Sequence, residues 1–217
     1  LQEINRYPRA GDPNPEVSVG IVPVEGGMVV WAAFDPKDDQ YFGTPFWRPD
    51  GSSLLVQWMP REQNVLKLYD IDLITGKKEE IYNEIQPTWV VWIESLHWVK
   101  DGFMMIRDFD GWEQIYLHDS DGSLRQKLTS GRMWDTKIIR VDEKSQQVYF
   151  TSKGEISTRN DFYRVGFNGK HQQRLTFGEY NHKNIMLSPD NRYFMTWYDN
   201  SSTPTRLGLV NVKNGKI

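Results

Sequence analysis

Short apolar or alternating runs recur along the chain, each bounded by Gly, Pro, Asn or Asp, and no capped run with a 3.6-residue period competes with them. Runs 19–22, 68–71, 115–117, 162–165 and 207–210 read as strands, and each is followed by a glycine. These glycines are Gly27, Gly76, Gly122, Gly169 and Gly215, separated by 49, 46, 47 and 46 residues. The last four sit in Ile-Thr-Gly-Lys-Lys, Ser-Asp-Gly-Ser, Phe-Asn-Gly-Lys and Lys-Asn-Gly-Lys. Such segments predict tight hairpins, because glycine takes the positive φ of the turn and a neighbouring Asn or Asp tolerates it.

A second beat interlocks with the first. Arg48-Pro49-Asp50-Gly51, Val99-Lys100-Asp101-Gly102, Arg140-Val141-Asp142-Glu143 and Ser188-Pro189-Asp190-Asn191 are turn signals, each followed by a strand-like run: 54–58, 103–106, 148–151 and 193–197. Each module therefore reads as four strands, A to D. The Asp turn joins A to B, a variable loop joins B to C, and the Gly turn joins C to D. Four strands at this period predict an all-β chain, a β-propeller segment of about four four-stranded antiparallel blades. The expected division is a partial blade over 1–42, blades over 43–85, 86–131 and 132–178, and a truncated blade over 179–217. Since rings protect their sheet edges by closing, the pattern is expected to be an open arc of a larger propeller. Leu1 is not an initiator methionine, which fits a chain that starts within a longer protein.

Composition removes several function classes. The 26 basic residues are balanced by 29 acidic ones, with no basic stripe of the kind nucleic acid selects. No apolar run of about 18 residues is present to span a bilayer, and the N-terminus has no signal-peptide pattern. Cysteine is absent, so disulfides and thiolate metal sites are excluded. Asp119-x-Asp121-Gly122 lacks the further ligands of a calcium loop and reads as a turn. Asp35, Asp38 and Asp39 read as a solvated loop, and Asn200-Ser201-Ser202 is a glycosylation sequon. No cofactor or metal is expected. Aromatic residues make up 13% of the chain, and most are expected to fill the space between sheets.

The strand order sorts the loops onto two faces. One face carries short polar turns. The other carries the longer loops 61–64, 89–95, 107–112, 132–135, 154–161, 179–183 and 198–204, rich in Trp, Arg and Tyr, where a rigid scaffold usually places binding groups. Trp112 and Trp134 fit equally well as caps between blades or as contact residues.

Several motifs, in order, resemble the propeller domain of the dipeptidyl peptidase IV family of prolyl oligopeptidase-type serine peptidases. Arg6-Tyr7-Pro8-Arg9-Ala10-Gly11 with Asn14-Pro15 is similar to the family's Tyr-Pro-Lys-Ala-Gly…Asn-Pro segment, with Arg9 in place of Lys. Gln57-Trp58 followed by Arg61-Glu62-Gln63-Asn64 matches its Gln-Trp…Arg-x-Gln-Asn hairpin. Asp110-Gly111-Trp112, Tyr116-Leu117 and Leu128-Thr129-Ser130-Gly131 match the next blade.

The resemblance implies an eight-bladed propeller stacked on a C-terminal α/β-hydrolase domain, together removing N-terminal X-Pro or X-Ala dipeptides from a peptide substrate. It also implies possible homodimerisation, with residues 1–6 the stub of a contributing arm, and a periplasmic or otherwise exported location. No Gly-x-Ser-x-Gly elbow occurs in this sequence, so the fragment alone is not expected to hydrolyse peptides. His97, His118, His171 and His182 read as strand or loop residues. Glu79-Glu80 falls in a D strand and reads as a solvated face rather than as the family's amine-gripping pair. The family's Trp-Val loop walls the substrate pocket, and Trp89-Val90 fits its start. Trp89, Val90, Trp92 and Ile93 are the resulting candidate substrate wall. The alternative is a stand-alone TolB-like propeller that binds proteins or ligands.

Overall fold

The computed structural model describes residues 8, 9 and 11–217. Residues 1–7 and Ala10, which hold most of the Tyr-Pro motif and the expected arm, lie outside them. Among the described residues there are 18 strands and no helix. All strand pairs are antiparallel and join neighbours in sequence, apart from a split first strand in one sheet. No helix is long and apolar enough to cross a membrane. The chain divides into two compact units, Leu1–Glu94 and Ser95–Ile217.

In the first unit, β1 (Gly20–Ile21) pairs with β2 (Val30–Trp31). A larger sheet follows: β3 (Gln40–Phe42), β4 (Phe46–Trp47), β5 (Ser53–Pro60), β6 (Val65–Asp72) and β7 (Lys78–Ile85). Both β3 and β4 pair with β5, so they form one edge strand broken at residues 43–45. Ala32, Leu54, Val56 and Ile71 form the core between the two sheets, with Val19, Ile21, Phe34 and Phe42 packed on it. The alternation that marked 54–58 and 68–71 as strands is what delivers these side chains to one face.

Gly76 makes the closest joint in this unit. Its φ is +68°, and a Cβ added there would lie 2.0 Å from the Trp31 carbonyl oxygen. Its own carbonyl accepts a hydrogen bond from the Ala33 amide at 2.9 Å. The β6–β7 turn thus docks by backbone onto the segment that follows β2, and only glycine leaves the space.

The second unit contains three meanders. The first is β8 (His97–Val99), β9 (Gly102–Arg107), β10 (Gln114–Asp119) and β11 (Leu124–Lys127). The second is β12 (Trp134–Asp142), β13 (Gln147–Lys153), β14 (Asn160–Gly166) and β15 (Gln173–Arg174). The third is β16 (Asn181–Leu187), β17 (Tyr193–Asn200) and β18 (Thr203–Asn211). Met104, Ile115 and Leu117 of the first sheet meet Val148, Phe150 and Val165 of the second in one core. Tyr149 and Phe162 of the second meet Phe194 and Val210 of the third in another. The middle sheet is apolar on both faces because it is packed on both.

A repeated threonine finishes the first two of these sheets. Leu128 and Leu175 donate their amides to the carbonyls of Ile115 and Phe162 at 2.8 and 2.7 Å. The hydroxyls of Thr129 and Thr176 then accept the amides of Ile115 and Phe162 at 2.9 and 3.4 Å. Each hydroxyl also donates to a buried side chain, Gln114 Oε1 at 2.7 Å and Asp161 Oδ1 at 2.6 Å. The Leu-Thr pairs extend the ladder for one residue after the strand proper ends.

Two expectations change here. The Asp turns do more than reverse the chain. Glu143 accepts the Lys100 amide at 2.8 Å, and Arg140 donates to Ser188 O at 2.6 Å and to Asn191 Oδ1 at 2.8 Å. Turn therefore binds turn from sheet to sheet. The loop expected over 198–204 is instead a short hairpin closed by Ser201-Ser202, with Asn200 Oδ1 accepting the Ser202 amide at 3.0 Å. Pro204 is accommodated because β18 is an edge strand of its sheet, where a missing amide proton need not break the ladder.

Two predictions follow from this packing. Gly51 has a similar φ, +69°, but nothing within 4 Å of an added Cβ. Gly51→Ala should therefore cost only the conformational term, about 1 kcal/mol, while Gly76→Ala should cost clearly more; equal urea midpoints for the two variants would refute the docked turn. His118 and His182 are buried, and burial lowers the pKa of both rings from the ordinary histidine value. Below pH of about 6.5 the unfolded rings take up protons before the folded ones, so stability present above that value falls as pH drops. The slope is up to about 1.4 kcal/mol per pH unit per ring. His182→Gln should flatten the decline measured by urea unfolding between pH 7.5 and 5.5, and an unchanged slope would remove His182 from the account.

Candidate functional site

The candidate wall lies in the segment after β7, and its course is fixed by one buried side chain. Gln57, on β5, is fully buried. Its Oε1 accepts the Ile93 amide at 2.7 Å, while its Nε2 donates to Ile93 O at 3.0 Å and to Thr44 O at 2.9 Å. One side-chain amide thus pairs with both backbone groups of Ile93, as a neighbouring strand would. Two further bonds secure the approach: the Val90 amide to Gln63 O at 2.9 Å, and the Gln86 amide to Asn64 O at 3.0 Å.

These anchors separate the four candidate residues. Val90 and Ile93 are buried, at 1% and 2% exposure, and hold the segment down. Trp89 is 62% exposed. Trp92 is half-buried, and a Cβ on Gly43 would come within 2.6 Å of its ring. Gly43 lies in the break between β3 and β4, so the interruption of that edge strand makes room for the indole. The accessible aromatic surface therefore comes from Trp89 and Trp92.

A polar cluster ties the N-terminal part of this unit to the same hairpin. Arg61 Nη1 contacts Asp39 Oδ2 at 3.0 Å and Asp12 O at 3.4 Å. Asn14 Nδ2 donates to Asp39 Oδ1 at 2.7 Å and to Tyr41 Oη at 2.8 Å. Hydrogen bonds from Arg61 and then Asn14 hold the Asp39 carboxyl below its ordinary pKa. Asp39 is thus not merely a solvated loop residue. Its partners are 22 and 25 positions away in sequence, a separation that gave no local signal.

Other expected positions fall outside this arrangement. Glu79 and Glu80 lie on β7, and Glu80 pairs with Lys67 Nζ at 2.8 Å. Asp119 and Asp121 serve their own turn, bonded to Ser123. No group of three or more His, Cys, Asp or Glu residues is placed to hold a metal among the described residues. Trp112 and Trp134 contact one another at 5.9 Å between centroids, and Trp112 remains 37% exposed.

Gln57→Leu keeps the bulk of the side chain but strips Ile93 N–H, Ile93 O and Thr44 O of their partner. Leaving buried backbone groups unpaired should cost about 1–3 kcal/mol or more. Limited chymotrypsin digestion should then cut within 86–96, at Trp89 or Trp92, faster than in the unaltered chain. Unchanged stability and cleavage would show that the clamp does not hold the segment.

Comparison with known proteins accounts for this geometry. Residues 2–205 match the family model described as the dipeptidyl peptidase IV (DPP IV) N-terminal region. Dipeptidyl peptidase 4 of Arthroderma otae is 27% identical over 223 residues, an alignment covering 97% of this chain and 28% of that protein. A probable dipeptidyl-aminopeptidase B of Aspergillus fumigatus is 28% identical, covering 98% of this chain and 25% of the relative. The crystal structure of Porphyromonas gingivalis dipeptidyl peptidase 4 superposes with a TM-score of 0.80 at 26% identity, over 97% of this chain and 30% of that one. A putative dipeptidyl aminopeptidase IV from Bacteroides ovatus gives a TM-score of 0.78 at 26% identity, over 100% of this chain and 34% of that one. The chain thus spans about a quarter to a third of the proteins it matches. Gln57, Gln63 and Asn64 hold the segment after β7, Asn14 and Arg61 hold Asp39, and the chain belongs to the dipeptidyl peptidase IV N-terminal region family.

Proposed function

We propose that this chain is the non-catalytic propeller portion of a dipeptidyl peptidase IV-like serine exopeptidase that removes N-terminal X-Pro or X-Ala dipeptides. The observation that carries the reading is the segment pinned by Gln57, Gln63 and Asn64, which presents Trp89 and Trp92 on a rigid sheet. An indole face offers a peptide a large apolar contact at little cost in side-chain entropy. Val90 and Ile93 act beneath it as anchors that set the height of the wall.

In this account the propeller gates and walls the cavity, while the nucleophile belongs to a C-terminal α/β-hydrolase domain of the same polypeptide. No Gly-x-Ser-x-Gly segment occurs among these 217 residues, consistent with that division of labour. The division into blades given by the glycine period, an eight-bladed parent ring, homodimerisation and an exported location all belong to the same reading.

The full-length protein should release p-nitroaniline from a dipeptide-proline anilide, and failure to cleave would count against the peptidase reading. Within that enzyme, Trp92→Ala should raise KM several-fold with kcat little altered, the signature of lost uniform binding. Kinetics unchanged across substrates would remove Trp92 from the site.

A further inference from the structure

A pocket of about 330 Å³ opens in the second unit between loops 130–133 and 154–159. Its floor is laid by pairing of β14 with β15, which sets Tyr163 opposite Arg174. Three guanidiniums line it, from Arg132, Arg159 and Arg174, against the carboxylates of Glu155 and Asp161. Two of the three are already held. Asp161 is 3% exposed and meets Arg174 Nε at 2.8 Å and Arg159 Nε at 3.4 Å, and Arg159 also pairs with Glu179.

Arg132 is different. Its guanidinium lies 5.9 Å from the Trp112 ring centroid and has no carboxylate partner among the described residues. Tyr163 stacks on Phe150 at 5.3 Å, yet its hydroxyl has no hydrogen-bond partner among the described residues. An uncommitted guanidinium and an uncommitted phenol thus line one concavity, with Ile156 beside them as apolar surface, 47% exposed.

We propose that this pocket is a carboxylate-binding subsite, with Arg132 as the charge partner and Tyr163 as a second donor. Asp161 and Glu179 already offset Arg174 and Arg159, which leaves Arg132 as a single unpaired positive charge, and that suits a carboxylate. A phosphate group carries about −1.5 to −2 near neutral pH and overshoots it. A guanidinium also binds a carboxylate through two parallel hydrogen bonds, so geometry and charge agree. The carboxylate could be an acidic side chain or the C-terminus of a peptide. The inference stands apart from the peptidase reading, since it uses neither Trp89 nor Trp92.

Calorimetric titration of the full chain with four probes tests it. The probes are N-acetyl-Ala-Glu-Ala-amide, N-acetyl-Ala-Ala-Ala with a free carboxylate, N-acetyl-Ala-Ala-Ala-amide and inorganic phosphate. At least one carboxylate peptide should bind ten-fold or more tighter than the uncharged amide, and the stronger of the two identifies the source. Arg132→Gln should weaken that binding about ten-fold, as loss of a charge-assisted bond implies. Tyr163→Phe should weaken it less, and Glu155→Gln should tighten it by removing a competing anion. Equal binding of the uncharged amide, full affinity in Arg132→Gln, or tighter binding of phosphate than of either carboxylate would each overturn the proposal.

Discussion

The first unit depends on an amide placed where a strand would otherwise be. Gln57 is buried on β5, and a buried amide without partners carries a desolvation cost comparable to what its hydrogen bonds return. That asymmetry makes the residue directional. With Ile93 in place all its bonds are made, and without Ile93 the sheet holds an unsatisfied polar group. The segment after β7 is therefore held by the same physics that holds a strand ladder, although it has no strand geometry. Trp89 and Trp92 inherit their positions from it.

The second unit solves a related problem with threonine. Where β11 and β15 end, the hydroxyls of Thr129 and Thr176 stand in for one more backbone acceptor. Each is in turn fixed by a buried Gln114 or Asp161. Because Asp161 also holds Arg159 and Arg174, the device that closes a sheet sets one wall of the charged pocket. Scaffold and candidate binding surface share atoms here. Substitutions at Asp161 would alter both, whereas Arg132 and Tyr163 can be changed with less disturbance to the ladder.

Much of the fold was legible because its signals are local. A glycine at positive φ and a period-2 apolar run each declare themselves within a few residues; four of the five runs read ahead of the glycines lie within observed strands, and the first, 19–22, overlaps the two-residue β1. The segment 198–204 reads as a longer loop because Pro204 suppresses a strand reading unless the strand is known to be an edge, as β18 is. The site was only partly legible. The aromatic, Trp-Val character of the segment was visible, but burial of Val90 and Ile93 depends on Gln57, 36 residues from Ile93. Asp39 is exposed, as its loop composition implies, but its pairing with Arg61 and Asn14 exists only in three dimensions. The pocket at Arg132 had no sequence signal beyond a loop rich in Arg and Trp.

The segment that carries Trp89 and Trp92 is held as firmly as a strand although it lacks strand geometry. Amide hydrogen exchange on the full chain measures this directly. Val90 and Ile93 should exchange as slowly as the paired amides of β5 and β6, requiring the opening of the surrounding sheet. Exchange of both amides at the rate of an unstructured loop, with β5 and β6 still protected, would contradict the account.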